Sequence, residues 1–339
     1  MDVRYRPMQS KDIPKCAEHV AAHPVLGPRY GKVIEHLPSA IRRALRGDNF
    51  FKVFEEFSGS TTRLLGAGMA VFVGDDFLRQ AKTAPDFWIG PELAKRISGG
   101  KSPLLTDDEV RDANSTTGLN LIVWHNTCHP QDVMRPEVAT TVMTAFLEAY
   151  RGFRLREVVT QADSLEQMWG HRNGGGLYFD RLKGSYGPFP EVDSSNFSDQ
   201  PRNAGITREL ALKHAVSWLS SIFICGSPQF GFSRGEQRLL HSALTDGKTD
   251  EGLSEDLGIS LSAVKQTWRS IYSRVGVNMP ELVPNNSSAG TETQGRGKQK
   301  KQHLLAYLRE HPEELRPVSR KLLRGSAGTR PSSELHDYR

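Results

Sequence analysis

The sequence predicts an α/β N-terminal domain built on a mixed sheet, followed by a smaller all-α domain. Three observations carry this. Up to about residue 182, short apolar runs of strand character alternate with runs of helical period, as expected when strands are laid between helices. From residue 232 to 277 the periodicity is helical throughout, broken only at Gly247 and Gly258. Between these parts, residues 184–206 are rich in Gly, Pro, Ser and Asn and read as a linker.

The 339-residue chain has room for two domains with further connecting material. In the first, VRYRPM at residues 3–8 alternates and reads as an opening strand whose proline favours an edge. Ile13, Ala17, Val20 and Ala21 then recur at helical spacing, and residues 32–45 continue as a second helix. FFKVFEEF and TRLLGAGMAVFV, joined by Ser58-Gly59-Ser60, form a hairpin. Residues 75–118 break the pattern and read as short helices in an inserted lid or variable loop rather than as core. LNLIVW is a fully apolar strand, ATTVMTAFLEAY a helix with Val142, Phe146 and Leu147 inward, REVVTQA another strand, and LEQMW the start of another helix. The domain therefore spans residues 1–199.

The net charge of +5 is modest for this length, so charge alone does not point to nucleic acid. Three widely spaced cysteines, Cys16, Cys128 and Cys225, argue for a reducing compartment rather than a disulfide framework. The N-terminal MDVRYRPMQSKD lacks the apolar core of a signal peptide, and no run of about 18 apolar residues is present. A cytoplasmic protein with no membrane partner is expected.

Two stretches invite a chemical reading. WHNTCHP groups His125, Cys128 and His129 with spacing a metal could use, but zinc sites usually take four ligands and no second pair accompanies them, so a loop or pocket wall is the reading. HRNGGG lacks the Lys-Ser/Thr of a phosphate loop and reads as a turn before the strand LYFDRL. No catalytic residue, metal or cofactor is assigned.

The element order over about residues 1–190, with its opening RPMQSKDIP and the strand LNLIVW followed by a helix, resembles the GNAT acetyltransferase fold. That resemblance implies an acyl-CoA site where a Gln/Arg-x-x-Gly-x-Gly/Ala turn offers backbone N–H groups to pyrophosphate at a helix start. The corresponding stretch here is MRPEVATTV. With Arg135 in the first place, Val138 and Thr140 occupy the glycine positions and Glu137 sets a negative charge beside any phosphate. Tyr178 falls near the family's general-acid tyrosine, although a tyrosine at a strand is more often packing. The expectation is a non-catalytic scaffold that senses a small-molecule ligand or mediates assembly; the alternative is a GNAT-type acyltransferase targeted to DNA.

TRELALKHAVSWLSSIFICG, at residues 207–226, reads as one helix of about five turns within a connecting segment, residues 200–231. Thr207 caps it, Glu209 suits its positive end and Gly226 stops it. Leu210, Trp218, Leu219, Ile222 and Phe223 give it more than one apolar face, so it packs between domains or forms a homodimer interface.

Three short helices follow in residues 232–284. Ser233 and Glu236 form a capping box, Thr249 caps the second helix and Ser260 the third. Along the third, Leu261, Val264, Trp268, Ile271 and Val275 recur three and four apart and define a buried face. The opposite face carries Ser262, Lys265, Gln266, Arg269 and Ser273, and no acidic residue lies between Asp256 and Glu281. A helix of this kind suits a DNA major groove, where lysine and arginine donate to guanine and glutamine bridges adenine.

The stretch resembles the LuxR-type (GerE) helix-turn-helix of bacterial transcription regulators. Ser233, Glu236, Gly247, Leu253, Leu257, Ser260, Val264, Lys265, Ile271 and Gly276 fall at its hallmark positions without a gap. The resemblance implies duplex DNA as partner, with Lys265, Gln266 and Arg269 facing bases, Thr249, Ser260 and Arg274 facing phosphates, and Ser262 on the same DNA-facing side. Pro284 leaves no room for a fourth helix directly after the third. Residues 285–339 are expected to be a basic, partly disordered tail, with Arg296, Lys298, Lys300 and Lys301 clustered and one or two short helices in HLLAYLREHPEELRPVSRKLL; the alternative is an added phosphate contact that strengthens binding without specificity.

Overall fold

A computed structural model describes residues 2–45, 50–128, 130–133, 135–162, 164–191, 200–213, 217–283 and 293–319. Contacts divide the chain into two units, Met1–Ile224 and Cys225–Arg339.

The first unit opens with β1 (Asp2–Pro7), α1 (Ile13–Ala22), α2 (Leu26–Tyr30) and α3 (Leu37–Ala44). The hairpin β2 (Phe50–Ser58) and β3 (Thr61–Val73) follows, then α4 (Asp75–Thr83), α5 (Ile89–Ser98) and α6 (Asp107–Ser115). Next are β4 (Leu119–Cys128), α7 (Pro130–Val133), α8 (Pro136–Tyr150), β5 (Leu155–Ala162), α9 (Leu165–Asn173), β6 (Leu177–Asp180), β7 (Ser185–Gly187), β8 (Arg202–Thr207) and α10 (Arg208–Lys213). The strands form one mixed sheet of eight in the order β1-β2-β3-β4-β5-β8-β6-β7, which bears out the α/β class.

Strand alternation builds a core on each face of that sheet. From β3, Met69, Val71 and Val73 enter one core, with residues of α1 to α5. Ala70 and Phe72 enter the other, with Val138, Ala145 and Tyr150 of α8 and with Ala211, Ile222 and Phe223. The inward residues expected of α8, Val142, Phe146 and Leu147, pack at the edge of this second core.

Three expectations are corrected here. The insertion at residues 75–118 is core, not lid: Phe77, Leu78 and Ala81 of α4 and Ile89, Leu93, Ala94 and Ile97 of α5 are buried, at the helical spacing that brings them onto one face. The linker read at residues 184–206 contains β7 and β8, and β8 sits inside the sheet between β5 and β6. Its small residues permit this, since a Cβ on Gly205 would lie 2.2 Å from the Val158 carbonyl oxygen. The five-turn helix from residue 207 is instead the short α10 and a separate 3-10 turn, Leu219–Phe223, with a bend at Ser217 between them. Thr207 does cap α10, accepting from the Leu210 N–H at 3.3 Å. Ala211, Ile222 and Phe223 belong to the core of this unit, and residues 214–216 lie outside the described residues.

The second unit contains α11 (Arg234–Asp246), α12 (Asp250–Leu257), α13 (Leu261–Asn278) and α14 (Thr293–Glu310). Helices α11 to α13 pack around Leu239, Leu240, Leu253, Val264, Trp268 and Ile271. The expected tail is corrected over residues 293–319: Leu304, Leu305 and Leu308 of α14 and Leu315 beyond it complete this core. Glu314 reinforces the closure by accepting the N–H groups of Gln229 and Phe230 at 2.7 and 3.0 Å. Gln237 and His241 of α11 bond the carbonyls of Arg316 and Leu315. Residues 284–292 and 320–339 lie outside the described residues.

Candidate nucleic-acid interface

Local caps set the three helices. At α11 the Ser233 hydroxyl accepts from the Glu236 N–H at 3.3 Å, and Glu236 accepts from the Ser233 N–H at 2.6 Å. Thr249 caps α12, accepting from the Gly252 N–H at 3.3 Å, and Ser260 caps α13, accepting from the Ala263 N–H at 3.2 Å. The reversal between α12 and α13 runs through Gly258 at φ +63, in the left-handed region that glycine enters without a Cβ penalty. Behind it, the Ile259 N–H returns to the Ser254 carbonyl at 3.1 Å, satisfying a helix end.

Helix α13 has two unlike faces. Val264, Trp268, Ile271 and Val275 are buried, whereas Ser262, Lys265, Gln266, Arg269 and Ser273 are exposed. The three residues expected to face bases, with Ser262, thus share one solvent-facing side of a single helix. Thr249 and Ser260 stand exposed at the N-termini of α12 and α13, although their hydroxyls already serve as caps.

Arg274 has another partner. Half-buried, it reaches Glu236 at 3.4 Å, and Ser270 donates to the same carboxylate oxygen at 2.7 Å. Burial pushes Glu236 up, but the Ser233 N–H, the Ser270 hydroxyl and Arg274 together hold it below the usual carboxylate range. The guanidinium expected at a phosphate is therefore joined to the capping box of α11. The sequence did not foresee the pairing of Lys301, whose Nζ sits 3.2 Å from Asp250 and 4.9 Å above the Trp268 ring. Its only trace in the sequence was membership of a basic cluster.

In the first unit, β4 and β5 pair in parallel from Leu119↔Leu155 to Ile122↔Val159 and then separate. β4 runs on beside β3 to Cys128, and β5 beside β8 to Ala162. The wedge between them is filled by the chain itself. Gln161 donates to the Phe87 carbonyl and accepts from the Ile89 N–H, both at 2.7 Å. Gly90 lies so close that a Cβ there would be 2.7 Å from the Tyr30 hydroxyl. A cavity of about 20 Å³ remains among Tyr30, Trp88, Trp124, His125 and Gln161, room for about one water. Trp124 donates to the Tyr30 hydroxyl at 3.0 Å, and that hydroxyl bonds His125 Nε2. Burial, with a smaller contribution from His23, pushes His125 down to about 3, so the ring is neutral.

His125 and Cys128 do not converge. His125 faces Tyr30, while the Cys128 thiol lies in the core beside α8 and burial pushes it up to about 12. His129 lies outside the described residues, among which no three His, Cys, Asp or Glu side chains gather to hold a metal. The glycines of HRNGGG face protein: a Cβ on Gly174 would meet the Trp218 indole nitrogen at 2.7 Å. Tyr178 packs against Phe189, ring centres 6.2 Å apart.

The start of α8, where the GNAT resemblance implies a pyrophosphate, carries interlocked ion pairs. Arg135 contacts Glu56, Asp132 and Glu137 at 2.7 to 3.0 Å, and Arg63 contacts Glu56 and Asp132 at 2.8 and 3.0 Å. Three carboxylates at a helix N-terminus supply the negative charge that such a position favours, so an incoming phosphate would compete with them. No described helix is long and apolar enough to cross a membrane. Comparison with known protein families, curated proteins and solved structures found no match.

Proposed function

We propose that the chain is a sequence-specific DNA-binding transcriptional regulator of bacterial, LuxR-like type, with α12 and α13 as its helix-turn-helix. The observation that carries this reading is the division of α13 into a buried stripe and an exposed face of Ser262, Lys265, Gln266 and Arg269, behind a glycine reversal and a serine cap. Lysine and arginine at such positions donate to guanine O6 and N7, and glutamine pairs with adenine. Thr249 and Ser260, with the adjacent helix N-termini, set register on phosphates. The first unit then senses a ligand or mediates assembly on a GNAT-like sheet, a reading supported by the parallel β4–β5 pair that parts after Ile122. The ion pairs at the start of α8 weigh against acyl transfer.

Selection of duplexes from a random library by the full chain tests the proposal. One enriched motif is expected, and Lys265→Ala with Arg269→Ala should lower discrimination by about 1–3 kcal/mol per lost base contact. No enrichment, or the same motif and affinity in the double variant, refutes base readout by this face.

A further inference from the structure

The start of α12 poses an electrostatic problem. A helix N-terminus that approaches a phosphate gains from its partial positive charge, yet Asp250 and Glu251 fill the first turn of α12. Both acids suit the helix itself, whose intrinsic stability Gly252 lowers by up to about 1 kcal/mol. The same acids would repel a DNA backbone.

Lys301 answers this from α14. Its ammonium donates to Asp250 Oδ1 at 3.2 Å and to the Lys248 carbonyl at 3.3 Å, and it lies 4.9 Å above the Trp268 ring. The side chain is only 21% exposed and Asp250 31%, so the pair is more sheltered than an ordinary surface contact. The other cations at this end have acidic neighbours of their own. Lys248 pairs with Asp256 at 3.1 Å. Glu251 is held below the usual carboxylate range by its own N–H and by Thr249, with Lys265 and Lys301 adding to this.

We infer that α14 is part of the DNA-facing surface: Lys301 neutralises Asp250, so the phosphate backbone can approach the α12 N-terminus. The inference rests on the proposed reading of duplex DNA by α13. It adds that affinity depends on a residue far outside the three helices that carry the motif, acting as a positioning and neutralising group rather than as a base contact.

The test uses the full chain and the duplex recovered by selection, with anisotropy titrations between about 50 and 200 mM salt. Lys301→Met keeps an unbranched side chain and removes the charge. It should weaken binding roughly threefold to tenfold and make the slope of log affinity against log salt shallower by up to about one. Asp250→Asn alone should bind at least as tightly as wild type, and the double variant should recover most of the loss. Lys301→Arg, which keeps the charge, should stay near wild type and controls for misfolding. Equal binding by Lys301→Met and wild type overturns the inference and leaves the base-reading proposal standing. A double variant as weak as Lys301→Met also overturns it, since lost packing is not rescued by removing a carboxylate. Absence of any wild-type duplex binding overturns both.

Discussion

Replacing Leu304 with alanine asks whether α14 belongs to the fold of the second unit or merely lies against it. Leu304 is 0% exposed and shares a core with Leu239, Leu240, Val264 and Ile271. Deleting a buried leucine to its β-carbon costs the transfer free energy of the lost carbons plus the cavity left behind, about 2–5 kcal/mol. Amide hydrogen exchange on the full chain, followed on peptides from α11 and α13, reads the effect directly. Protection limited by global opening of the unit should fall roughly thirtyfold to a few thousandfold, with the first unit unaffected. Unchanged exchange in α11 and α13 would refute the placement of α14 in this core.

His125 gives a pH prediction. Its folded pKa of about 3 lies below the ordinary 6.5, so the unfolded chain binds a proton that the folded unit refuses. Stability from this residue is full above about pH 6.5 and is lost as pH falls toward 3, at up to about 1.4 kcal/mol per pH unit. His125→Gln should flatten that slope by one proton in urea unfolding measured at several pH values; an unchanged slope would mean the ring is not buried neutral. For the alternative reading, calorimetric titration of the full chain with acetyl-CoA at millimolar concentration should give no binding heat, and a saturable signal would restore acyl transfer as a contender.

The strands of the first unit were legible because their alternation or apolar runs survive in the sequence, as in FFKVFEEF and LNLIVW. Helices α11 to α13 of the second unit were legible because caps and reversals use specific residue types, Ser233, Thr249 and Ser260 with Gly247 and Gly258. What was missed had no local signature. β8 reads as RNAGIT, whose small residues look like a loop until the neighbouring Val158 backbone explains Gly205. The leucines of α14 were read as lying on a short helix, but its opening TQGRGKQKKQ is a polar run that gives no sign of their burial in the core of the second unit. Arg274 looked free because its partner, Glu236, lies on another helix. In each case a tertiary contact decided, and local propensity could not show it.

The closure of the second unit by α14 also bears on how that unit forms. α11 meets α14 only after α12, α13 and the intervening segment have been made, so a pairing distant in sequence completes this core. Long-range closure of this kind slows folding, because the chain loses loop entropy before the contact rewards it. On the ribosome, Leu239, Leu240 and Val264 would wait with part of their apolar surface uncovered until Leu304 and Leu308 emerge. During that interval the inward faces of α11 and α13 lack their last cover, and an apolar surface left open in this way is where a partly made chain is most prone to associate.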